Sequence, residues 1–278
     1  MQEHSWDNRI YYRVNELKAD QITLVFVHGV SGSSSAWWPY EKIFENKYNV
    51  LTYDIRGHGL SKKYPNYKDY KIENFVQDLQ GLVNHLGIKK FVLISNSFGG
   101  LIHEEYLKVY RDRVAANIFT SPEIFLNKTT LIKWGKPILA ILTTILRILP
   151  CSLKPRGHVD YSKYKNSTDW SIGRNWADMS NTGFRAHFFT LRQSMKVVGN
   201  YEFEKINIPT LVMHGENDTM VPIKNSMEIA RQIKNAKFME ISGVDHNTAH
   251  NAVREMSELI ETFLTENQSK ILGSEPAV

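Results

Sequence analysis

The stretch FVLISNSFGG, residues 91–100, decides the fold class of this 278-residue chain. Its apolar first four residues predict a buried strand, and the apolar spacing over residues 101–110 predicts a helix directly after the turn. Ser97 stands at the tip of this strand–turn–helix, a local structure that presents a nucleophilic serine. Gly99 lets the helix approach the strand, and Ser95, small but not glycine, stands at the matching position before Ser97. The alternative is a glycine-rich turn that happens to contain a serine.

Apolar runs rich in β-branched residues alternate with helical patterns on both sides of this stretch. Such alternation predicts an α/β fold with a mostly parallel sheet that helices cover on both faces. Residues 10–14 are expected to add an antiparallel edge, and residues 72–86 to form a helix that stops at Gly87. The predicted parallel strands are residues 22–27, 49–53, 91–94, 114–119, 210–213 and 237–241.

One segment breaks the alternation of strands and helices. Residues 121–204 have no strand pattern and are helix-like and aromatic, so we predict a helical cap inserted into a core of residues 1–120 and 205–278. Its most apolar part, PILAILTTILRILP at residues 137–150, is too short to span a bilayer and carries Arg147. A buried or lid helix is expected there, and transient contact with a membrane surface through the cap is the minority alternative.

Composition narrows the class of protein. The formal net charge is +5, but the basic residues are spread along the chain, so we expect no nucleic-acid partner. Cys151 is the single cysteine, which excludes an intrachain disulfide, and the first residues resemble no signal peptide. We therefore expect a cytoplasmic protein. We also expect it to be a monomer or homodimer and to bind a small apolar molecule.

The loop HGVSG, residues 28–32, follows the first core strand and bears on the chemistry at Ser97. Acyl transfer to a serine requires backbone N–H groups aimed at the developing oxyanion. One such group comes from the residue after the nucleophile, here Phe98. The other comes from a loop after an earlier strand, and Val30 is the candidate.

Four motifs together resemble the α/β-hydrolase superfamily over nearly all of the chain except the cap. They are HGVSG, DIRGHGLS at residues 54–61, SNSFGG at residues 95–100 and HGENDTMVP at residues 214–222, in the superfamily's order. The resemblance implies a triad in chain order serine, acid, histidine. It assigns Ser97 as nucleophile, Asp218 as acid and His246 as general base.

One point about this triad, the identity of its acid, stays open at the level of sequence. Glu123, just after a predicted strand, stands where some superfamily members carry the acid, so it competes with Asp218. His250 lies one helical turn beyond His246, but the intervening residues lack the glutamate of a zinc-binding H-E-x-x-H motif, so no metal is expected. The histidines beside the other loops, His28, His58 and His214, are expected to be structural.

These residues predict a serine hydrolase that cleaves carboxylic esters through an acyl-enzyme and needs no cofactor. The apolar, aromatic cap resembles those of monoacylglycerol lipases and carboxylesterases, which implies medium-chain acyl or monoacylglycerol-like esters. Asn96 gives a second hypothesis, because the string NSFGG is similar to carbon–carbon bond hydrolases of the meta-cleavage-product type. A third hypothesis is a non-catalytic hydrolase-fold receptor for a small molecule.

Overall fold

The computed structural model describes residues 1–124, 130–197 and 202–273. Within them one eight-stranded sheet has the order β1-β2-β4-β3-β5-β6-β7-β8. Strands β3 to β8 run parallel to one another, and β2 runs antiparallel to both of its neighbours, β1 and β4. The strands are β1 (Gln2–Trp6), β2 (Ile10–Val14), β3 (Thr23–Val27), β4 (Asn49–Tyr53), β5 (Phe91–Asn96), β6 (Val114–Thr120), β7 (Thr210–Gly215) and β8 (Lys237–Ile241).

Helices cover both faces of this sheet, which is the predicted α/β class. They are α1 (Trp38–Phe44), α2 (Ile72–His85), α3 (Phe98–Tyr110), α4 (Thr130–Ile148), α5 (Ile172–Thr182), α6 (Phe184–Ser194), α7 (Ile223–Gln232), α8 (Thr248–Asn251), α9 (Val253–Glu266) and α10 (Gln268–Leu272). Short 3-10 turns lie at Ser34–Trp37, Tyr67–Tyr70, Arg111–Arg113, Tyr161–Tyr164 and Phe203–Lys205.

The core strands are apolar on both faces because helices lie on both sides. Every residue of β3, β4 and β6 is buried. One large apolar cluster packs under α2, α3 and α6, and a second packs on the opposite face under α1 and α9. This burial explains why continuous apolar runs, rather than alternating ones, predicted these strands correctly.

The antiparallel edge differs from the prediction. Strand β2 (Ile10–Val14) pairs antiparallel with β4 as expected, but β1 pairs with its other side and is the true edge. The first four residues of β1 are exposed and polar, so the strand has no apolar pattern to detect. An edge strand with charged and polar side chains is protected from pairing with other chains.

Between β6 and β7 the described residues form helices and no strand. We call residues 130–194 the inserted segment; it contains α4, α5 and α6. The proposed limits of the cap, residues 121 and 204, remain a prediction, and residues 125–129 and 198–201 within it lie outside the described residues. No helix among the described residues is long and apolar enough to cross a membrane.

Helix α4, expected to be a buried or a lid helix, is buried on one face only. Leu139 is 7% exposed, but Ile138 and Ile141 are 70% and 65% exposed, and Ile148 is 83% exposed. One face of α4 therefore packs on the protein and the other presents isoleucines to solvent. Contact of this face with a membrane stays a prediction.

Candidate active site

The turn after β5 holds Ser97 in a conformation that few residues other than glycine adopt. Ser97 has φ 52° and ψ −121°, and its backbone N–H donates to the Thr120 carbonyl at 3.0 Å. A non-glycine residue at positive φ is strained and persists only where surrounding contacts fix it. A Cβ on Gly99 would lie 2.6 Å from the Val27 carbonyl oxygen, so α3 reaches the end of β3 only because residue 99 is glycine.

Ser95 replaces the glycine usual before the nucleophile, and the structure gives it a partner. Its hydroxyl lies 2.9 Å from His103 Nδ1, and His103 Nε2 lies 3.0 Å from Asn117 Oδ1. The Asn117 amide donates onward to the Thr210 hydroxyl at 3.0 Å. Burial lowers the pKa of His103 to about 3, so the ring is neutral and links β5, α3, β6 and β7. The sequence analysis assigned no role to His103.

The structure brings the predicted serine, histidine and acid together. His246 Nε2 lies 2.8 Å from Ser97 Oγ, and His246 Nδ1 lies 2.7 Å from Asp218 Oδ2. Asp218 Oδ1 accepts from the backbone N–H groups of Met220 and Val221 at 2.9 and 2.8 Å, which fixes the carboxylate. A nucleophile bonded to a base that is oriented by a third group is the arrangement of nucleophilic catalysis.

Charge favours this arrangement. Burial lowers the pKa of His246, but the hydrogen bond and negative charge of Asp218 outweigh it, and the net pKa is raised. Burial likewise raises the pKa of Asp218, but the contact with His246 prevails and the net pKa is lowered. The pair is therefore built to hold a negative acid beside a ring that accepts a proton.

The rival acid, Glu123, does not touch His246 Nδ1. Glu123 is 9% exposed, and its carboxyl accepts a hydrogen bond from the Ser194 hydroxyl at 3.2 Å. Burial raises the pKa of Glu123 to about 7. Of the two acids that the sequence left open, Asp218 is the one that orients His246.

Both predicted oxyanion donors belong to segments that border the nucleophile. Phe98 is the first residue of α3, and the N–H groups of the first turn of a helix have no acceptor within the helix. Val30 lines the cavity that contains Ser97. A Cβ on Gly29 would lie 3.1 Å from Ser97 Cβ, so the absence of a side chain there lets the loop approach the nucleophile.

The other loop histidines make hydrogen bonds to neighbouring groups; their structural role stays a prediction. His28 Nε2 accepts from the Ile55 N–H at 3.1 Å, and burial lowers its pKa. His58 Nδ1 donates to the Arg56 carbonyl at 2.9 Å, and His214 Nδ1 lies 2.7 Å from the Ser226 hydroxyl. These rings join neighbouring loops.

Asp169, in the inserted segment, holds the two loops that carry Asp218 and His246. Its Oδ1 accepts from the His246 N–H at 2.9 Å, and its Oδ2 accepts from the Thr219 N–H and hydroxyl at 2.9 and 2.8 Å. Asn247 Nδ2 also donates to Oδ1 at 3.2 Å. The sequence analysis missed Asp169, because an aspartate within STDWS has no motif around it.

A cavity of about 400 Å³ opens at Ser97 between the sheet and the inserted segment. Apolar side chains make up much of its wall: Val30, Trp37, Met179, Leu191, Met220 and Val221. Among the described residues, none from α4 lines this cavity. Two aromatic residues of the inserted segment, Tyr161 and Trp170, line it, whereas Phe189 is buried in the main core and Trp176 is largely exposed.

The wall also contains a buried ion pair. Arg174 donates to Asp178 at 3.0 Å, and the Tyr161 hydroxyl donates to the same carboxylate at 2.9 Å. The Tyr161 ring stacks on His250 at 4.3 Å. Burial lowers the pKa of His250 to about 3, and no group of three or more potential metal ligands lies among the described residues.

An eight-stranded, mostly parallel sheet with a serine on a strained turn at the end of its central strand defines an α/β hydrolase. Residues 18–252 match the family described as Serine aminopeptidase, S33 (Hydrolase_4). The chain belongs to this family, and the protein is a hydrolase.

Similar proteins carry several names. A Mycoplasma pneumoniae protein named "Putative esterase/lipase 2" is 26% identical over 86% of this chain and 88% of its own. A non-heme haloperoxidase of Rhodococcus erythropolis is 27% identical over 80% of this chain and 85% of its own. The structure of a thermophilic esterase from Thermogutta terrifontis superimposes with a TM-score of 0.67 at 19% identity, covering 92% and 93% of the two chains.

Proposed function

We propose that the protein is a serine esterase that cleaves carboxylic esters through an acyl-enzyme on Ser97. The observation that carries this proposal is the continuous chain Ser97 Oγ, His246, Asp218, with contacts of 2.8 and 2.7 Å. The relatives named as esterases support the class of reaction.

Each step has a residue of this chain to perform it. His246 Nε2 takes the Ser97 proton as the hydroxyl oxygen attacks the acyl carbon, and the N–H groups of Val30 and Phe98 stabilise the oxyanion. His246 then delivers the proton to the leaving alcohol. In the second half, His246 activates water, which attacks the acyl carbon and releases the acid and free Ser97. Asp218 keeps the ring in position and stabilises its charged form.

The mostly apolar cavity supports an uncharged ester with a medium-length acyl chain or a monoacylglycerol-like structure. A cavity of about 400 Å³ is within the usual range for small-molecule sites. Profiling p-nitrophenyl esters from acetate to decanoate should show an optimum at an intermediate chain. A wide margin in favour of acetate would contradict this part of the proposal.

The central test is covalent labelling. Wild type should react with a fluorophosphonate at Ser97 and hydrolyse p-nitrophenyl butyrate, and Ser97→Ala should lose both properties. Ser95→Ala is not a suitable control because it changes the buried hydrogen-bond chain, so we choose Ser162→Ala, a serine on the exposed surface. Undiminished turnover by Ser97→Ala would refute the proposal.

Carbon–carbon bond hydrolysis is the second candidate function. Asn96 lines the cavity, with its amide 3.3 Å from the Thr120 carbonyl and 3.5 Å from the Thr248 hydroxyl. Incubation with a coloured ring-cleavage dienoate separates the two functions. Bleaching of the dienoate faster than ester turnover would favour the second.

A further inference from the structure

Glu123 places a carboxyl in the wall of the cavity, next to the nucleophile. It follows β6, and its backbone N–H donates to the Ser97 carbonyl at 3.0 Å. This bond fixes the position of residue 123 relative to the strained turn. Glu123 is 9% exposed, and it lines the same cavity as Ser97 and His246.

One oxygen of this carboxyl lacks a partner. Oε1 accepts from the Ser194 hydroxyl at 3.2 Å, whereas no group in residues 1–124, 130–197 or 202–273 donates to Oε2. The nearby cavity wall includes Leu191 and Val221, which have no polar side-chain atoms. A carboxyl in a mostly apolar wall is stabilised by a ligand that brings a hydrogen-bond donor.

Glu123 does not serve as the acid of the triad, because Asp218 already contacts Nδ1 of His246. Glu123 is nevertheless close enough to His246 for the two charges to interact, and each shifts the pKa of the other. The leaving alcohol must lie on the His246 side of Ser97, since His246 protonates it. Ser97, Glu123 and His246 line one cavity, so the alcohol part that His246 protonates shares this cavity with the Glu123 carboxyl.

We propose that Glu123 binds a hydrogen-bond donor, a hydroxyl or a protonated amine, on the alcohol part of the substrate. The inference rests on the proposed esterase function and makes it more specific. The preferred substrate is an ester whose acyl chain contacts the apolar wall and whose alcohol carries a free donor. Glu123 is thus a specificity-determining residue.

The test compares three butyrate esters. Glycerol 1-butyrate and propyl butyrate have three-carbon alcohols that differ only in two hydroxyl groups. Butyrylcholine carries a positive charge but no donor on its alcohol part. We measure kcat/KM for each ester in wild type, in Glu123→Met, which keeps the side-chain length but has no carboxyl, and in Glu258→Met, a control on the exposed surface.

The expected result is a change in selectivity. The ratio of kcat/KM for glycerol 1-butyrate to that for propyl butyrate should fall about tenfold in Glu123→Met, the effect of one lost hydrogen bond. The ratio for Glu258→Met should stay at the wild-type value. Because each ratio is measured on one enzyme preparation, partial loss of folded protein does not affect it.

Three outcomes would overturn the assignment of Glu123. An equal ratio in wild type and Glu123→Met would show that the carboxyl does not bind the hydroxyls. A fall for butyrylcholine that matches the fall for glycerol 1-butyrate would show attraction of charge rather than a hydrogen bond. A rise in the ratio would show that Glu123 disfavours the donor. Failure of wild type to hydrolyse any of the three esters would instead count against the proposed function.

Discussion

The loops at the carboxyl ends of the strands and the inserted segment face the same cavity, but different forces hold them. The loops are packed so closely that Gly99 has no room for a methyl group. The inserted segment is joined to the core both by apolar packing of α6, whose Phe189 is buried in the main cluster, and by polar contacts, such as those of Asp169 with the Thr219 and His246 backbone. Its helix α4 leaves isoleucines in solvent. The difference indicates that the loops carry the reacting groups, while the inserted segment covers the cavity and holds the loops in position.

Further polar contacts join the two regions. His158 Nε2 lies 2.8 Å from Asp54 Oδ2, and the Thr182 hydroxyl donates to the Ser31 carbonyl at 2.7 Å. Lys63 Nζ donates to the Thr182 carbonyl at 2.6 Å, and burial lowers the pKa of this lysine to about 8. Because directional bonds depend on exact positions, small changes here should alter activity more than stability.

Removing the charge of Asp218 should have the largest effect. In Asp218→Asn we expect kcat to fall by on the order of 10⁴-fold, because the amide no longer stabilises the protonated His246 ring. Steady-state kinetics with p-nitrophenyl butyrate measures the loss. The loss of kcat in Glu123→Gln should be smaller than the loss in Asp218→Asn by a factor of at least about 100. The reverse order would show that Glu123 is the acid.

A methyl group added in each region should have opposite effects on stability. In Gly99→Ala the new Cβ would press on the Val27 carbonyl, and the free energy of unfolding should fall by about 1–3 kcal/mol. A Cβ on Gly135 in α4 would have nothing within 4 Å. Gly135→Ala should therefore raise the free energy of unfolding by up to about 1 kcal/mol. Urea unfolding measures both, and equal effects would contradict the comparison.

The sequence predicted most of the loops at the carboxyl ends of the strands and little of the inserted segment. Ser97, Asp218 and His246 stand in motifs whose spacing follows from the strands before them, and the structure brings them together. Asp169 and Glu123 act through contacts that form only when distant segments fold together, so no local pattern indicates their roles. Composition predicted an apolar, aromatic cap, but composition does not say which of its side chains face the cavity.

Neutralising Asp169 should have a moderate effect with a characteristic pH dependence. In Asp169→Asn the amide nitrogen would face an N–H donor of one loop, and kcat/KM should fall about tenfold. The charge of Asp169 raises the pKa of His246, and the neutral ring is the active base. The acidic midpoint of the pH profile should therefore move to lower pH.

Asp160→Asn, an exposed aspartate of the same segment, is the matched control for Asp169→Asn. Its midpoint and kcat/KM should equal those of wild type. An Asp169→Asn enzyme with the wild-type midpoint would show that Asp169 does not act on His246.

The exposed face of α4 should be the least sensitive part of the chain. Ile141→Gln should change the free energy of unfolding by no more than about 0.5 kcal/mol, because the side chain is already in water. Leu139→Ala, on the buried face of the same helix, should cost about 2 kcal/mol. Thermal unfolding followed by circular dichroism measures both. A larger cost at Ile141 would mean that another surface covers it.

The buried chain Ser95–His103–Asn117 also limits how the nucleophile turn can evolve. A single change of Ser95 to the glycine usual in the superfamily would remove the donor to His103 Nδ1 and leave that nitrogen buried without a partner, at about 1–3 kcal/mol. His103 would have to become apolar first, or in the same step. The order in which substitutions become tolerable is thus set by one hydroxyl group two residues before the nucleophile.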